Sequence, residues 1–338
     1  MGDWYNEQAI PLRQQGLSYN KISEMLSIPL KTVQSRFRRD ELRGNLNRVT
    51  YEDKKSYTEA DVNKFMTAMK EMQKATDAID TKQTKANVKI EDNKPIAIAL
   101  WADWHIGAKG VDYERFDVDK EKIINTDGLY WCGLGDYKDN YQSFGHPGAQ
   151  YEQVLQPGMQ DLAVKNIMKE TAYNCLALVR GCHDDWDKKT GDKDFVESMC
   201  QAMTEETGKG PINLWHGGDL HIKLNGIDYH FKLRHKYKFE SSLNLENAMR
   251  RIMEIQGPCD VACSAHLHNP YYMDRHLMGE YRIMARSGSY KIWDEFGQKL
   301  AGYKGKPGIP VIILFPDKKK MIPLMLDEAI DVLEVLRR

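Results

Sequence analysis

Three short polar segments of the chain combine residue types that bind divalent metal ions. They contain Asp103 and His105 in an Asp-x-His pair, Asp136 in a Gly-Asp pair, and His183 and Asp184 in a Gly-x-His-Asp sequence. Each segment follows an apolar run typical of a buried strand, and α/β folds bind ligands beyond the carboxyl ends of their strands. Side chains in an extended segment repeat every second residue, so Asp-x-His presents both ligands on one side. Carboxylates and imidazoles gathered from several strand ends are what a two-metal hydrolytic site requires.

A fourth segment, with His266 and His268, repeats the spacing with two imidazoles. The order Asp-x-His, Gly-Asp-x-x-Asp-Asn, Gly-x-His-Asp, a lone His and His-x-His resembles the calcineurin-like metallophosphoesterases, a superfamily that includes double-strand-break repair nucleases. The resemblance covers roughly residues 94–326 and rests on four motifs in the family's order, since each motif alone is weak evidence. It implies an α/β fold, a β-sandwich flanked by helices, and it implies hydrolysis of phosphoesters.

The resemblance also implies which residues bind the metal ions. The ligands form two sets that share one carboxylate: Asp103, His105 and His268 for the first metal, His235 and His266 for the second, and Asp136 between them. His230 and His216 compete with His235 for the place of the lone histidine. The expected cofactors are two divalent ions, with Mn²⁺ first and Zn²⁺, Fe²⁺ or Mg²⁺ as alternatives.

One position departs from the family's pattern, because Cys182 stands where the family has Asn. An Asn offers the metal a neutral carbonyl oxygen, whereas a thiolate is softer, adds charge and favours zinc or iron over manganese. Three interpretations stay open. Cys182 binds the second metal and biases its identity; Cys182 does not bind and the second site is weak; or the substitution lowers activity.

The resemblance further implies the chemistry around the metals. A hydroxide that bridges the two ions would attack phosphorus in line. His183 would protonate the leaving oxygen or stabilise the charge of the transition state, while Asp184 would orient the ring and raise its pKa. Asp139 and Asn140 would hydrogen-bond the metal ligands from behind.

Residues 1–43 predict a small helical domain of the helix-turn-helix kind. Gly16-Leu17-Ser18 predicts the end of a first helical segment and an N-cap for a short helix over 19–26. Pro29 fits the first position of a second helix that runs to about Arg39. In such modules the second helix enters the major groove of DNA. The DNA-binding candidates are the polar and basic residues of that helix: Lys31, Gln34, Ser35, Arg36, Arg38 and Arg39. The alternative is a three-helix packing module with a solvated basic face.

The rest of the chain divides into a linker and a larger domain. Residues 44–93 predict a charged linker that holds one amphipathic helix over about 59–78 and a flexible segment over 80–93. Residues 94–326 predict the metallophosphoesterase domain, and residues 327–338 predict a C-terminal helix.

Composition excludes several classes of protein. The chain has 338 residues and a formal net charge of −1, and no stretch predicts a membrane span or a signal peptide. Its six cysteines form no Cys-x-x-Cys pair, which favours reduced thiols. We therefore expect a cytoplasmic protein, or one of the host cytoplasm if a phage encodes it, with no membrane partner.

Three functions are compatible with these features. The first is a metal-dependent DNA nuclease, because a DNA-reading module tethered to a phosphodiesterase makes DNA the natural substrate. The second is a phosphoesterase for small phosphoesters or phosphoproteins whose helical unit binds a protein. The third is a DNA-binding scaffold with weak activity on account of Cys182. Self-association and an ATPase partner, as in the family's repair nucleases, are further expectations.

Overall fold

The computed structural model describes residues 3–46, 57–79, 83–141, 149–191, 194–277, 279–299 and 305–338. The chain divides into two compact units, Met1–Ile79 and Asp80–Arg338. Of the helices in the described ranges, none is long and apolar enough to cross a bilayer.

The described residues of the first unit form helices and turns. A π-helical turn, Tyr5–Ala9, leads into helices α1 (Ile10–Gln14), α2 (Tyr19–Leu26), α3 (Leu30–Leu46) and α4 (Glu59–Ile79). The two predicted helices and the turn between them are confirmed, although α3 continues seven residues beyond Arg39. Ser18 caps α2, since its Oγ accepts a hydrogen bond from Lys21 N at 3.3 Å. Tyr5, Ala9, Ile22 and Val33 form the buried core of this unit.

The predicted amphipathic helix is also confirmed, as α4. Thr58 and Asp61 form a reciprocal cap at its start: Thr58 N donates to Asp61 Oδ2 at 3.0 Å, and Asp61 N donates to Thr58 Oγ1 at 3.2 Å. Its apolar stripe is exposed to solvent, with Phe65 64 % and Met72 70 % accessible.

The second unit contains twelve described strands and seven α-helices. The strands are β1 (Lys85–Ile90), β2 (Ile96–Trp101), β3 (Leu129–Gly133), β4 (Cys175–Leu178), β5 (Ile212–Asn213), β6 (Gly217–Leu224), β7 (Ile227–Arg234), β8 (Val261–Ser264), β9 (Tyr271–Leu277), β10 (Glu280–Arg286), β11 (Pro310–Leu314) and β12 (Met321–Met325). The helices are α5 (Tyr113–Asn125), α6 (Pro157–Glu170), α7 (Trp186–Gly191), α8 (Phe195–Thr207), α9 (Asn247–Gln256), α10 (Glu295–Lys299) and α11 (Leu326–Arg337). Two six-stranded sheets result, in the orders β1-β6-β7-β8-β10-β9 and β12-β11-β2-β3-β4-β5.

The sheets pack face to face, and helices cover their outer faces. Along β2, Ile96, Ile98 and Leu100 point into the core between the sheets, while Ala97, Ala99 and Trp101 face the helices. A strand covered on both sides has to be apolar at every position, which explains the unbroken run in the sequence. Helices α5, α6, α8 and α11 cover one sheet, and α9 covers the other. The α/β fold with a β-sandwich flanked by helices is therefore confirmed.

The prediction of a flexible segment over 80–93 is wrong for residues 85–90. These residues form the edge strand β1, which pairs in parallel with β6. Only Ala86 and Ile90 of the strand are buried, so the segment is too polar to signal a strand by itself. Strands β9 and β12 are likewise absent from the sequence prediction. Each is an edge strand that pairs with its neighbour along the chain, β10 or β11, and neither has an unbroken buried apolar run, since no residue of β9 is buried and β12 contains Pro323.

The segment after β4 is anchored by a buried arginine, which leads to a test of stability. Arg180 pairs with Asp194, which also caps α8 by accepting a hydrogen bond from Glu197 N. Asp194→Ala should lower the free energy of unfolding by about 2 kcal/mol, because it removes the cap and one partner of a buried guanidinium. Asp112→Ala removes the matching cap of α5 without that ion pair and should cost about 1 kcal/mol. Urea unfolding measures both, and equal losses would contradict the anchoring role.

Candidate metal centre

The two sheets bring five strand ends together. In one sheet β2, β3 and β4 run parallel, and in the other β7 and β8 run parallel, so their carboxyl ends carry neighbouring loops. These loops contain the predicted metal ligands and the predicted acid: Asp103, His105, Asp136, Cys182, His183, His235, His266 and His268. Their ligand atoms fall into four overlapping groups of three, each group within 4.8 Å. The competing histidines lie elsewhere: His230 stacks on His221, and His216 is exposed beside Asp185.

Two glycines let the loops approach each other. A Cβ on Gly181 would lie 2.0 Å from Asp136 Oδ1, and a Cβ on Gly135 would lie 2.3 Å from Gly181 N. Gly135 also has a φ of +95°, which favours glycine. The glycines of the Gly-Asp and Gly-x-His-Asp motifs are thus required by the closeness of the loops after β3 and β4.

The first ligand set is Asp103, His105 and His268. The Nε2 atoms of the two histidines lie 3.2 Å apart, and His268 Nε2 is 3.8 Å from Asp103 Oδ1. Two nitrogens bound to one metal at about 2.1 Å lie roughly 3.0–3.4 Å apart, so the histidine spacing suits a shared ion. Asp103 Oδ2 accepts a hydrogen bond from His266 N, whereas the buried Oδ1 has no hydrogen-bond partner in the described part of the chain.

The second set is Cys182, His235 and His266. His235 Nδ1 donates to Leu134 O at 2.8 Å, which turns Nε2 toward the cluster. Cys182 Sγ lies 3.9 Å from His266 Nδ1. Asp136 stands between the sets: its Oδ2 is 3.1 Å from His235 Nε2 and 4.0 Å from His105 Nε2.

The backbone of the cluster is strained. In the described ranges nine non-glycine residues have positive φ. Five of them are predicted metal ligands, and a sixth, Asn140, is predicted to support the ligands from behind. The six are Asp103, His105, Asp136, Asn140, His266 and His268. Each such residue costs on the order of 1 kcal/mol, and conformations of this kind concentrate at functional sites. The five ligands in this group therefore owe their directions to the surrounding fold and not to local preference.

The charges of the cluster suit cations. Asp103 and Asp136 are buried, and in the described ranges neither forms an ion pair with Lys or Arg. Burial raises the pKa of Asp103. It also opposes ionisation of Asp136, but His235, His183 and His105 together outweigh burial and lower the pKa of that carboxyl. Burial lowers the pKa of His266 to about 3, so this ring is neutral, the form that binds metals.

The prediction that Asp184 orients His183 is wrong. The Asp184 carboxylate accepts backbone hydrogen bonds from Asp136, Tyr137 and Gly181, and thereby holds the two loops together. His183 Nδ1 instead donates to the carbonyl oxygen of Asp139. Burial lowers the pKa of His183 to about 4, so its pKa is not raised as expected. The motif places Asp next to His in sequence, but successive side chains point in different directions.

Asp139 contacts a predicted metal ligand from behind, as the sequence predicts, whereas the Asn140 side chain donates to the predicted acid His183 and to Asp187. Asp139 Oδ1 is 3.1 Å from His105 Nδ1, and Asn140 Nδ2 donates to His183 O at 2.9 Å. Sequence analysis missed Lys291, a buried residue whose Nζ donates to Asp139 Oδ1 at 3.0 Å. Burial disfavours its charge, but Asp139, Tyr141 and Asp294 together outweigh burial and raise the pKa of Lys291. No sequence motif distinguishes this lysine.

A cleft of about 470 Å³ opens onto the cluster. Trp186 stacks on His183 with ring centroids 4.2 Å apart, and Tyr141 meets His183 edge-on. Lys236 and Trp293 line the same cleft, and Trp293 is 42 % exposed. Trp186 follows the Gly-x-His-Asp motif by two residues, which is the sequence signal for its place here.

The predicted DNA-binding residues lie along α3 in the first unit. Five of the six are exposed: Lys31, Gln34, Ser35, Arg38 and Arg39. Arg36 differs, since it is partly buried and its guanidinium lies 4.8 Å from the centre of the Tyr5 ring. Arg39 donates hydrogen bonds to the carbonyl oxygen and Oγ of Ser35.

No protein-family model matches the sequence, and no curated protein matches it. Solved structures with similar folds include Vps29 from Chaetomium thermophilum, at 12 % identity and a TM-score of 0.34 over 68 % of this chain and 95 % of that one. They also include the sulfate thiohydrolase SoxB from Thermus thermophilus, at 8 % identity and a TM-score of 0.33 over 72 % of this chain and 59 % of that one. Identities and TM-scores this low do not indicate a function, so the proposed function rests on the geometry of the cluster.

Proposed function

We propose that the protein is a metal-dependent phosphodiesterase that hydrolyses DNA. The observation that carries the hydrolytic part is the arrangement of two ligand sets around Asp136 at five converging strand ends. Two divalent ions held there would activate a water molecule and neutralise the charge of the phosphate. Mn²⁺ is the first candidate for the ions, with Zn²⁺, Fe²⁺ or Mg²⁺ as alternatives.

The first unit supports DNA as the substrate. Helix α3 presents Lys31, Arg38 and Arg39 to solvent, and exposed cations on the second helix of such a unit suit phosphate and base-edge contacts. The proposed partner is therefore DNA, with the phosphoester bond of its backbone as the target.

Residues of the cleft would position the substrate. His183 is held by Asp139 O and by the stacked Trp186, so its ring has one orientation in the cleft wall. We propose that it donates a hydrogen bond to a phosphate oxygen after the anionic substrate has raised its pKa. Lys236 offers a positive charge on the same wall.

The test is hydrolysis of single-stranded DNA, double-stranded DNA and a small chromogenic phosphodiester, each with Mn²⁺, Mg²⁺, Zn²⁺ or a chelator. Cleavage of DNA that the chelator stops would support the proposal. Cleavage of the diester alone would favour a small-molecule phosphoesterase. Absence of all cleavage in protein that binds metal would favour a scaffold role.

His183 has a separate test, because it belongs to a candidate metal group with His105 and Asp136 as well. His183→Gln should lower kcat for the diester by about 100-fold or more and leave metal affinity within about threefold, since general acid–base groups contribute 10²–10⁴-fold. Isothermal titration with Mn²⁺ measures the second quantity. A large loss of affinity would make His183 a ligand and contradict the proposed role.

A further inference from the structure

We propose that the two metal positions differ in kind: the second is a thiolate site that selects Zn²⁺ or Fe²⁺ through Cys182, while the first takes a harder ion such as Mn²⁺. This inference deepens the proposed function and rests on its assumption that the cluster binds metals. Of the three interpretations of Cys182, it selects direct ligation.

The position of the sulfur carries the inference. Cys182 Sγ lies 3.9 Å from His266 Nδ1 and within 4.8 Å of a ring nitrogen of His235. In a tetrahedral site with a Zn–S distance of about 2.3 Å and Zn–N of about 2.1 Å, sulfur and nitrogen lie roughly 3.6 Å apart. The thiol therefore lies close to the separation that an ion shared with His266 requires.

A second observation points to the same ion. His235 is 3 % exposed, and its Nε2 lies 3.1 Å from Asp136 Oδ2, in the same group of potential ligands as Cys182 and His266. Its Nδ1 is held by Leu134 O, so the ring cannot turn Nε2 away without losing that bond. A buried ring nitrogen aimed at a thiol and a carboxylate is a ligand set for a borderline metal ion.

The two positions differ in softness. The first set supplies one carboxylate oxygen and two imidazoles beside Asp136, a combination that accepts Mn²⁺. The second replaces an oxygen with sulfur, and thiolate ligands select zinc or iron. Binding would exchange the thiol proton of Cys182 for the metal ion and release that proton to solvent, so no oxidant or reductant takes part.

The other five cysteines provide an internal reference. They are Cys132, Cys175, Cys200, Cys259 and Cys263, all buried in hydrophobic clusters, where burial raises the pKa of each thiol. Cys182 is half-buried and is the cysteine that lines the cleft. Metal-dependent signals from sulfur should therefore come from Cys182.

The experiment is titration of the metal-free full chain with Co²⁺ under reducing, anaerobic conditions, followed by absorption spectroscopy. Wild type should develop a thiolate-to-cobalt charge-transfer band in the near ultraviolet. Cys182→Asn should lose the band and still bind cobalt, and its Zn²⁺ affinity should fall by at least about 100-fold, because even residues behind the ligands contribute roughly 10–100-fold. Its Mn²⁺ affinity should not fall. Cys200→Ala, which alters a buried thiol of α8, should keep the band.

Two results would overturn the inference: cobalt binding by wild type without the band, or persistence of the band in Cys182→Asn. Cys182→Ser serves as a second variant if Cys182→Asn does not fold, as judged by circular dichroism. Neither readout uses DNA, so the band without DNA cleavage would leave the thiolate site standing and reject the nuclease. DNA cleavage without the band would support the nuclease and reject the thiolate site.

Discussion

Asp136→Asn is expected to reduce hydrolysis of the chromogenic diester by roughly 1,000-fold or more. Asp136 is the carboxylate that lies between the two ligand sets, with Oδ2 near both His235 and His105. Its loss weakens two metal positions at once, and metal-based stabilisation of the transition state amounts to several kcal/mol, where each 1.4 kcal/mol is about tenfold in rate. The Asn side chain preserves size and the acceptor for His183 N.

Metal content decides the cause of that loss. Mass spectrometry of the purified variant should show less than two ions per chain at metal concentrations that saturate wild type. The control is Asp317→Asn, which removes an exposed carboxylate from the turn after β11 and should change neither activity nor metal content. Full activity in Asp136→Asn would refute the shared-carboxylate arrangement.

Neutralising the exposed cations of α3 is expected to uncouple DNA cleavage from diester cleavage. The triple variant Lys31→Gln, Arg38→Gln, Arg39→Gln removes three positive charges that face solvent. If all three contact phosphates, the slope of log affinity against log salt should flatten by about 3, and DNA affinity at 0.15 M salt should fall roughly 100-fold. Diester hydrolysis should not change, because none of these residues belongs to the metal cluster.

A matched triple variant tests whether position matters beyond charge. Lys64, Lys70 and Lys74 are exposed on α4 in the same unit, and their replacement by Gln removes the same total charge. We expect this control to keep most of the DNA affinity. Equal losses in both triples would indicate non-specific attraction, and no loss in the α3 variant would remove the basis for DNA as substrate.

The sequence predicts which residues form the candidate metal cluster because the relevant signals are local. The apolar runs before Asp103, Asp136 and Cys182 are strands whose two faces are both covered, so burial requires apolar residues at every position. The polar residue types after each run then follow from where the strand ends. The sandwich with flanking helices could be expected on this basis, as could the two helices and turn near the N-terminus.

Contacts between residues distant in sequence were decided only by the tertiary structure. It placed His235, and not His216 or His230, beside Asp136, because β7 ends next to β8 at the cluster. In the tertiary structure the Asp184 carboxylate accepts hydrogen bonds from backbone amides, and the buried Lys291 donates a hydrogen bond to Asp139.

The sequence by itself determined which residue types are available at the strand ends, since alternation and burial act over a few residues. The tertiary structure decided which of them meet, at what distance and with what charge. Strand β1 shows the reason: its polar residues carry no strand signal, yet six backbone pairings with β6 define it. The position of Cys182 Sγ beside His266 also depends on the tertiary structure. The loops that carry these residues, like the loops that meet at Gly135 and Gly181, come together only when the sheets are assembled.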